Sequence, residues 1–238
     1  MQPEDIANLA TAIVLVSTST IPIILSVVMR EPKDASLKRA VQVTRVSTLL
    51  LGLFLLVHGL YHVSEYFGND FYSDDILDPA SILILLGFTF YVWKNIFVPR
   101  SKTVQTSTVI SPASRTLIFA TPAVLSISSG MIGNLPEILN LIGIISSCAL
   151  FLWMVVKNPA YDSLHFQFAT IVLVWAAAEI PQGLSTLGII SLGGVDVWGT
   201  WVHFASMLLI GLFICARTIR ISIFSPQVYV KKLVERNV

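Results

Sequence analysis

Charge is what this chain has least of. Asp, Glu, Lys and Arg make up only 12% of its 238 residues, and 55% are hydrophobic; a soluble globular domain carries about 25% charged residues. That balance excludes an ordinary water-soluble fold, and the same hydrophobicity excludes a disordered chain. An excess of either sign is missing too. Fifteen basic against fourteen acidic residues leave a net charge of +1, which gives a nucleic-acid partner no electrostatic support. Cysteine is scarce: Cys148 and Cys215 both fall inside apolar runs, which argues against a disulfide framework. The start of the chain, Met1-Gln2-Pro3-Glu4-Asp5, lacks the basic stretch of a cleaved signal, so the first apolar run is expected to remain as a span.

What the chain has instead is long apolar runs. An apolar helix needs about 20 residues to cross the hydrocarbon of a bilayer, and seven runs fit: Ile6 to Met29, Val41 to Phe67, Pro79 to Val98, Leu117 to Ile132, Ile138 to Val156, Phe166 to Ile189, and Val197 to Ala216. They are apolar all round rather than alternating, which favours helices over a membrane β-barrel. The expectation is an all-α integral membrane protein, a seven-transmembrane-helix bundle over residues 1–220 with a short cytoplasmic tail at 221–238.

Basic residues set the orientation. With seven spans, every Lys and Arg falls on one side: Arg30, Lys33, Lys38, Arg39 and Arg45; Lys94, Arg100, Lys102 and Arg115; Lys157; then Arg217, Arg220, Lys231, Lys232 and Arg236. Without the fourth span that segregation is lost. Cytoplasmic loops carry the excess of Lys and Arg, so the N-terminus is expected outside and the C-terminus in the cytoplasm of a multi-pass cell-membrane protein. The outer connections are acidic, with Asp70, Asp74, Asp75 and Asp78, then Glu137 and Asp196.

Ionisable side chains in hydrocarbon are costly and mark function by default. The second run holds His58, His62 and Glu65, spaced i, i+4, i+7 on one helical face. The sixth holds Glu179, followed by Pro181, which is expected to loosen the helix there. The seventh holds His203, and Asp78 precedes Pro79 at the outer start of the third. At 1.5 Å rise per residue, His62 and His203 each lie ~8 Å below the outer end of their helices, and His58 and Glu179 ~14–15 Å. His165 falls at the cytoplasmic entrance of the sixth run and is expected to be interfacial.

Two histidines one turn apart can chelate an ion, and a histidine or carboxylate from another helix completes the set. The expected ligands of a transition-metal ion, zinc or copper, are therefore His58, His62 and His203, with Glu179 as ligand or as a group orienting one, and Glu65 and Asp78 at the mouth. A bis-histidine haem on His62 and His203 is the less favoured use, since it leaves His58 idle. Polar stitching of the helices is the bland use of the same residues. A retinal Schiff base is excluded, because the seventh run contains no lysine. The alkaline ceramidase and adiponectin-receptor superfamily pairs Ser-x-x-x-His on span two with His-x-x-x-His on span seven. Here the double histidine is on the second run, and Met207 stands four residues after His203, so that pattern does not carry over.

The functions compatible with such a site are a metal-binding subunit, a sensor acting through another membrane subunit or a cytoplasmic partner, or a small transporter. The alternatives are a zinc-dependent intramembrane hydrolase and a structural subunit of a membrane complex.

Overall fold

A computed structural model describes residues 3–29, 35–97, 135–157, 164–191 and 193–223. Among them six long helices form: α1 (Pro3–Val28), α2 (Ala35–Tyr66), α3 (Asp78–Val92), α4 (Leu135–Lys157), α5 (Leu164–Thr186) and α6 (Val195–Ile223). Five stretches, in α1, α2, α3 with its flanking turns, α4 and α6, are long and apolar enough to cross a membrane. The described residues are helical, and a membrane-protein class fits them. The expected fourth run, Leu117 to Ile132, and the tail from residue 224 lie outside the described residues.

Each helix packs on the next around a closed ring: α1 on α2, α2 on α3, α3 on α4, α4 on α5, α5 on α6, and α6 back on α1. The ring encloses a core of Leu15, Phe54, Leu55, Leu85, Phe151, Trp175, Met207 and Ile210, among others. Its outside is apolar as well. On α1 the buried face is Thr11, Ala12, Leu15, Ser19, Pro22 and Ser26, while Ile13, Ile24, Val27 and Val28 point outward. Lipid tails accept those side chains, and small residues inside let backbones approach. Three of the buried hydroxyls bond within their own helices: Ser19 Oγ donates to Val16 O at 2.7 Å, Ser26 Oγ to Ile23 O at 2.7 Å and Thr218 Oγ1 to Ile214 O at 2.6 Å.

One feature differs from the sequence expectation. The acidic connection after α2 is helical rather than a loop. Gly68, with φ +67°, ends α2 in the left-handed conformation that glycine adopts without strain. The chain then re-enters a helical turn at Asp70–Tyr72, passes through a π turn at Ser73–Leu77 and continues into α3. The N–H groups of Tyr72 and Ser73 both bond to Asn69 O at 3.1 Å, which satisfies the new helix start. At Pro181, where loosening is expected, α5 continues as helix to Thr186.

The direction of the helices matters for the site. Asn140 in the second turn of α4 donates to the Asp78 carboxylate at the start of α3, and at the other end Trp93 meets Trp153, with ring centroids 6.2 Å apart. So α3 and α4 run parallel. α1, α3, α4 and α6 start at one end of the bundle, and α2 and α5 finish there. That end carries Glu65, Asp78, Glu137 and Glu179. Lys38, Arg39, Arg45, Lys94, Lys157, Arg217 and Arg220 all belong to the opposite halves of their helices.

Candidate metal centre

The three histidines expected from sequence meet. His58 and His62 face inward from α2, each 1% exposed, and His203 reaches them from α6. His203 Nε2 lies 3.3 Å from His62 Nε2 and 3.4 Å from His58 Nε2. One nitrogen from each of the three residues lies within 4.8 Å of the others, so the group could hold a metal ion.

The outward nitrogens decide what these short contacts are. His62 Nδ1 stands 2.9 Å from Asn8 Oδ1 on α1. Asn8 turns its amide NH₂ toward Glu65 Oε2 at 3.5 Å, which leaves the Asn8 oxygen to accept from His62. His58 Nδ1 stands 3.0 Å from Ser81 Oγ on α3. The Ser81 hydroxyl already donates to Asp78 O at 2.8 Å, so toward His58 it can only accept, and Asp78 Oδ1 lies a further 3.7 Å from the same nitrogen. His203 Nδ1 is bonded to Glu179 Oε1 on α5. The indole Nε1 of Trp175 is 3.4 Å from that nitrogen as well. An indole N–H only donates, so the carboxylate is the partner that sets this tautomer.

Held neutral, all three imidazoles carry hydrogen on Nδ1, the tautomer that their hydrogen-bond partners assign. Three Nε2 lone pairs then converge on one another with no hydrogen between them. A cation in their midst turns that repulsion into coordination. The two spacings from His203 match: tetrahedral ligation at the usual zinc–imidazole distance places neighbouring nitrogens about 3.3–3.4 Å apart. The ring centroids agree independently, at 5.1, 5.2 and 5.3 Å for the three pairs. Imidazoles radiating tetrahedrally from one ion would stand about 5.2 Å apart.

Packing fixes the pose. A Cβ on Gly59 would come 2.8 Å from Val16 Cγ2 and 3.1 Å from Leu15 Cβ, so only glycine lets α1 lie close enough for Asn8 to reach His62. Phe54 stacks on His58 at 5.7 Å and Phe204 lies 5.6 Å from His62. The site opens where its carboxylates are, with the side chain of Glu179 18% exposed and that of Asp78 23%. Below it toward the basic end come Leu15, Phe54, Leu55, Trp175, Met207 and Ile210, all fully buried.

Of the residues expected from sequence, Glu179 holds the far nitrogen of His203 rather than facing the converging nitrogens. Asp78 lies behind His58, and Glu65 behind Asn8. Two imidazole nitrogens only 3.3 Å apart leave no slot for a porphyrin, whose axial ligands stand about 4 Å apart across the ring. The side chain of His165 lies outside the described residues. Asn8, Ser81 and Asn140 were missed, because isolated Asn and Ser near helix ends carry no chemical signature. Their one legible trait is a place on the outer turns, level with the histidines.

Comparison with protein-family models, with curated proteins and with solved structures finds no match for this chain.

Proposed function

We propose that this protein is a seven-span cell-membrane protein, N-terminus outside and C-terminus cytoplasmic, that keeps a transition-metal ion, zinc or copper, on His58, His62 and His203 in its outer half. The observation that carries this reading is the convergence of three lone pairs whose opposite nitrogens are all engaged by acceptors. Glu179, Asn8 and Ser81 then act as the groups that orient metal-bound histidines, a role on which affinity depends strongly.

The seven-span topology draws support from the parallel run of α3 and α4. Each starts at the site end, and Leu117 to Ile132 is the apolar stretch between them that a returning span would use. The segregation of Lys and Arg gives the orientation.

The packed apolar layer beneath the histidines favours a resident centre over a transport path. Of the roles compatible with the site, a metal-binding subunit or a sensor signalling through a membrane or cytoplasmic partner fits that layer best. A second reading is a zinc-dependent intramembrane hydrolase, favoured by the fourth tetrahedral position that three histidines leave open.

The test is elemental analysis of the purified protein by plasma mass spectrometry beside His62→Ala. Near-stoichiometric zinc or copper, lost in the variant, is expected. A folded sample that takes up neither metal, even after loading, sinks the reading.

A further inference from the structure

Glu137 and Asn140, one turn apart at the start of α4, take no part in holding the histidines. Asn140 turns toward α3, where its amide NH₂ donates to the Asp78 carboxylate. Leu141 turns the other way and packs on α5 at Gly183. Glu137 lies between these two directions on the helix surface, three residues before one and four before the other. Its side chain therefore points to the interior, where α3, α4 and α5 meet. It reaches α5 there, since a Cβ on Gly183 would overlap Glu137 Oε1. Glu179 stands one turn earlier on the same face of α5. Asp78 feels the charge of Glu137, and both feel Glu179 and Asp74. Among the described residues no Lys or Arg stands at this end of the bundle.

Asn140 supplies the observation that calls for a ligand. It is 5% exposed, yet its Oδ1 is buried with no hydrogen-bond partner among the described residues. Buried carbonyl oxygens are almost always paired, and an orphan is explained by a water or an ion. The NH₂ on the same amide carbon is bonded to Asp78, so this oxygen lies beside that carboxylate. We infer that Asp78, Glu137 and Asn140 form a second cation site, distinct from the histidines, for a hydrated divalent ion. Carboxylate, carbonyl and water oxygens are the donors that magnesium, calcium and manganese take. Of the described His, Cys, Asp and Glu side chains, only those of His58, His62 and His203 converge as a group within 4.8 Å. The acidic group is wider, so its ion keeps part of its water shell, as magnesium does on one or two carboxylates. Asn140 Oδ1 accepts from one of those waters, and the neighbouring carboxylates favour the ion they surround. This site does not depend on a metal at the histidines.

Manganese(II) is the probe, because it prefers oxygen donors and the free ion can be counted by its electron paramagnetic resonance signal. The full-length protein in detergent is titrated with it. Wild type is expected to bind one manganese(II), displaced by excess magnesium, and His62→Ala to bind it equally well. Affinity at oxygen sites follows the charge of the ligands, so Glu137→Gln is expected to bind at least about tenfold more weakly. Asn140→Leu, which removes the orphaned oxygen and the bond to Asp78 together, is expected to lose as much. A wild type that leaves manganese(II) free overturns the inference, and so do Glu137→Gln and Asn140→Leu proteins that bind as wild type does. Binding lost in His62→Ala and kept in Glu137→Gln also overturns it, placing the ion on the histidines and leaving that centre standing.

Discussion

The carboxylate of Glu179 on α5 grips the Nδ1 of His203 on α6, so two neighbouring helices together decide which face of that imidazole looks inward. Unheld, the ring is free to turn and to change tautomer. Glu179→Ala is expected to weaken metal binding by about 10–100-fold, the usual cost of removing a group that orients a ligand. Glu179→Gln keeps an acceptor oxygen but loses the charge, and falls between the two. Competition against a chromophoric chelator measures the affinities. Equal affinity for all three proteins shows that His203 is held by other means.

Asn8 performs the same task for His62 from α1, with its oxygen 2.9 Å from Nδ1. Asn8→Leu has nothing to accept the N–H and leaves a buried donor unpaired, at a cost of about 1–3 kcal/mol. Asn8→Asp keeps an acceptor. Thermal melting and metal titration of both variants are expected to rank wild type and Asn8→Asp well above Asn8→Leu. If Asn8→Leu binds metal as tightly as wild type, α1 plays no part in the site.

Much of this arrangement is legible in the sequence. His58 and His62 announce a shared face by their spacing, and His203 and Glu179 stand out because hydrocarbon tolerates few ionisable groups. Depth counted along each helix then brings them level. The ring order is not legible, since apolar helices carry no mark of which neighbour they pack on. Nor is the role of Glu179, because a carboxylate one hydrogen bond away from the metal and one bound to it have the same sequence appearance. Asn8 and Ser81 are hidden for a related reason: each works through a single lone pair, and polar residues near helix ends are ordinary.

The parallel run of α3 and α4 makes a topological prediction. A single cysteine at Asn69, beside the site, is expected to react with a membrane-impermeant maleimide added outside intact cells. One at Val238 is expected to react only after the membrane is opened. Cys148 is buried and Cys215 half-buried, and both are replaced by alanine in the background. Labelling of both positions from the same side removes the odd number of crossings.

Converging lone pairs make the histidines a liability without metal and an asset with it. His58→Leu removes one of the three, keeps roughly the volume and orphans no donor, because the Ser81 hydroxyl still donates to Asp78 O. With a chelator present, His58→Leu is expected to melt at or above the temperature of wild type. With zinc at 100 times the dissociation constant, wild type gains about 2.7 kcal/mol from binding and overtakes the variant, which gains far less. The crossing of the two melting curves is the signature of a site built for a cation. Polar stitching predicts the reverse in the chelator, since each lost imidazole would then remove a favourable hydrogen bond. A wild type that outlasts His58→Leu by the same margin with and without zinc identifies the histidines as helix-to-helix glue.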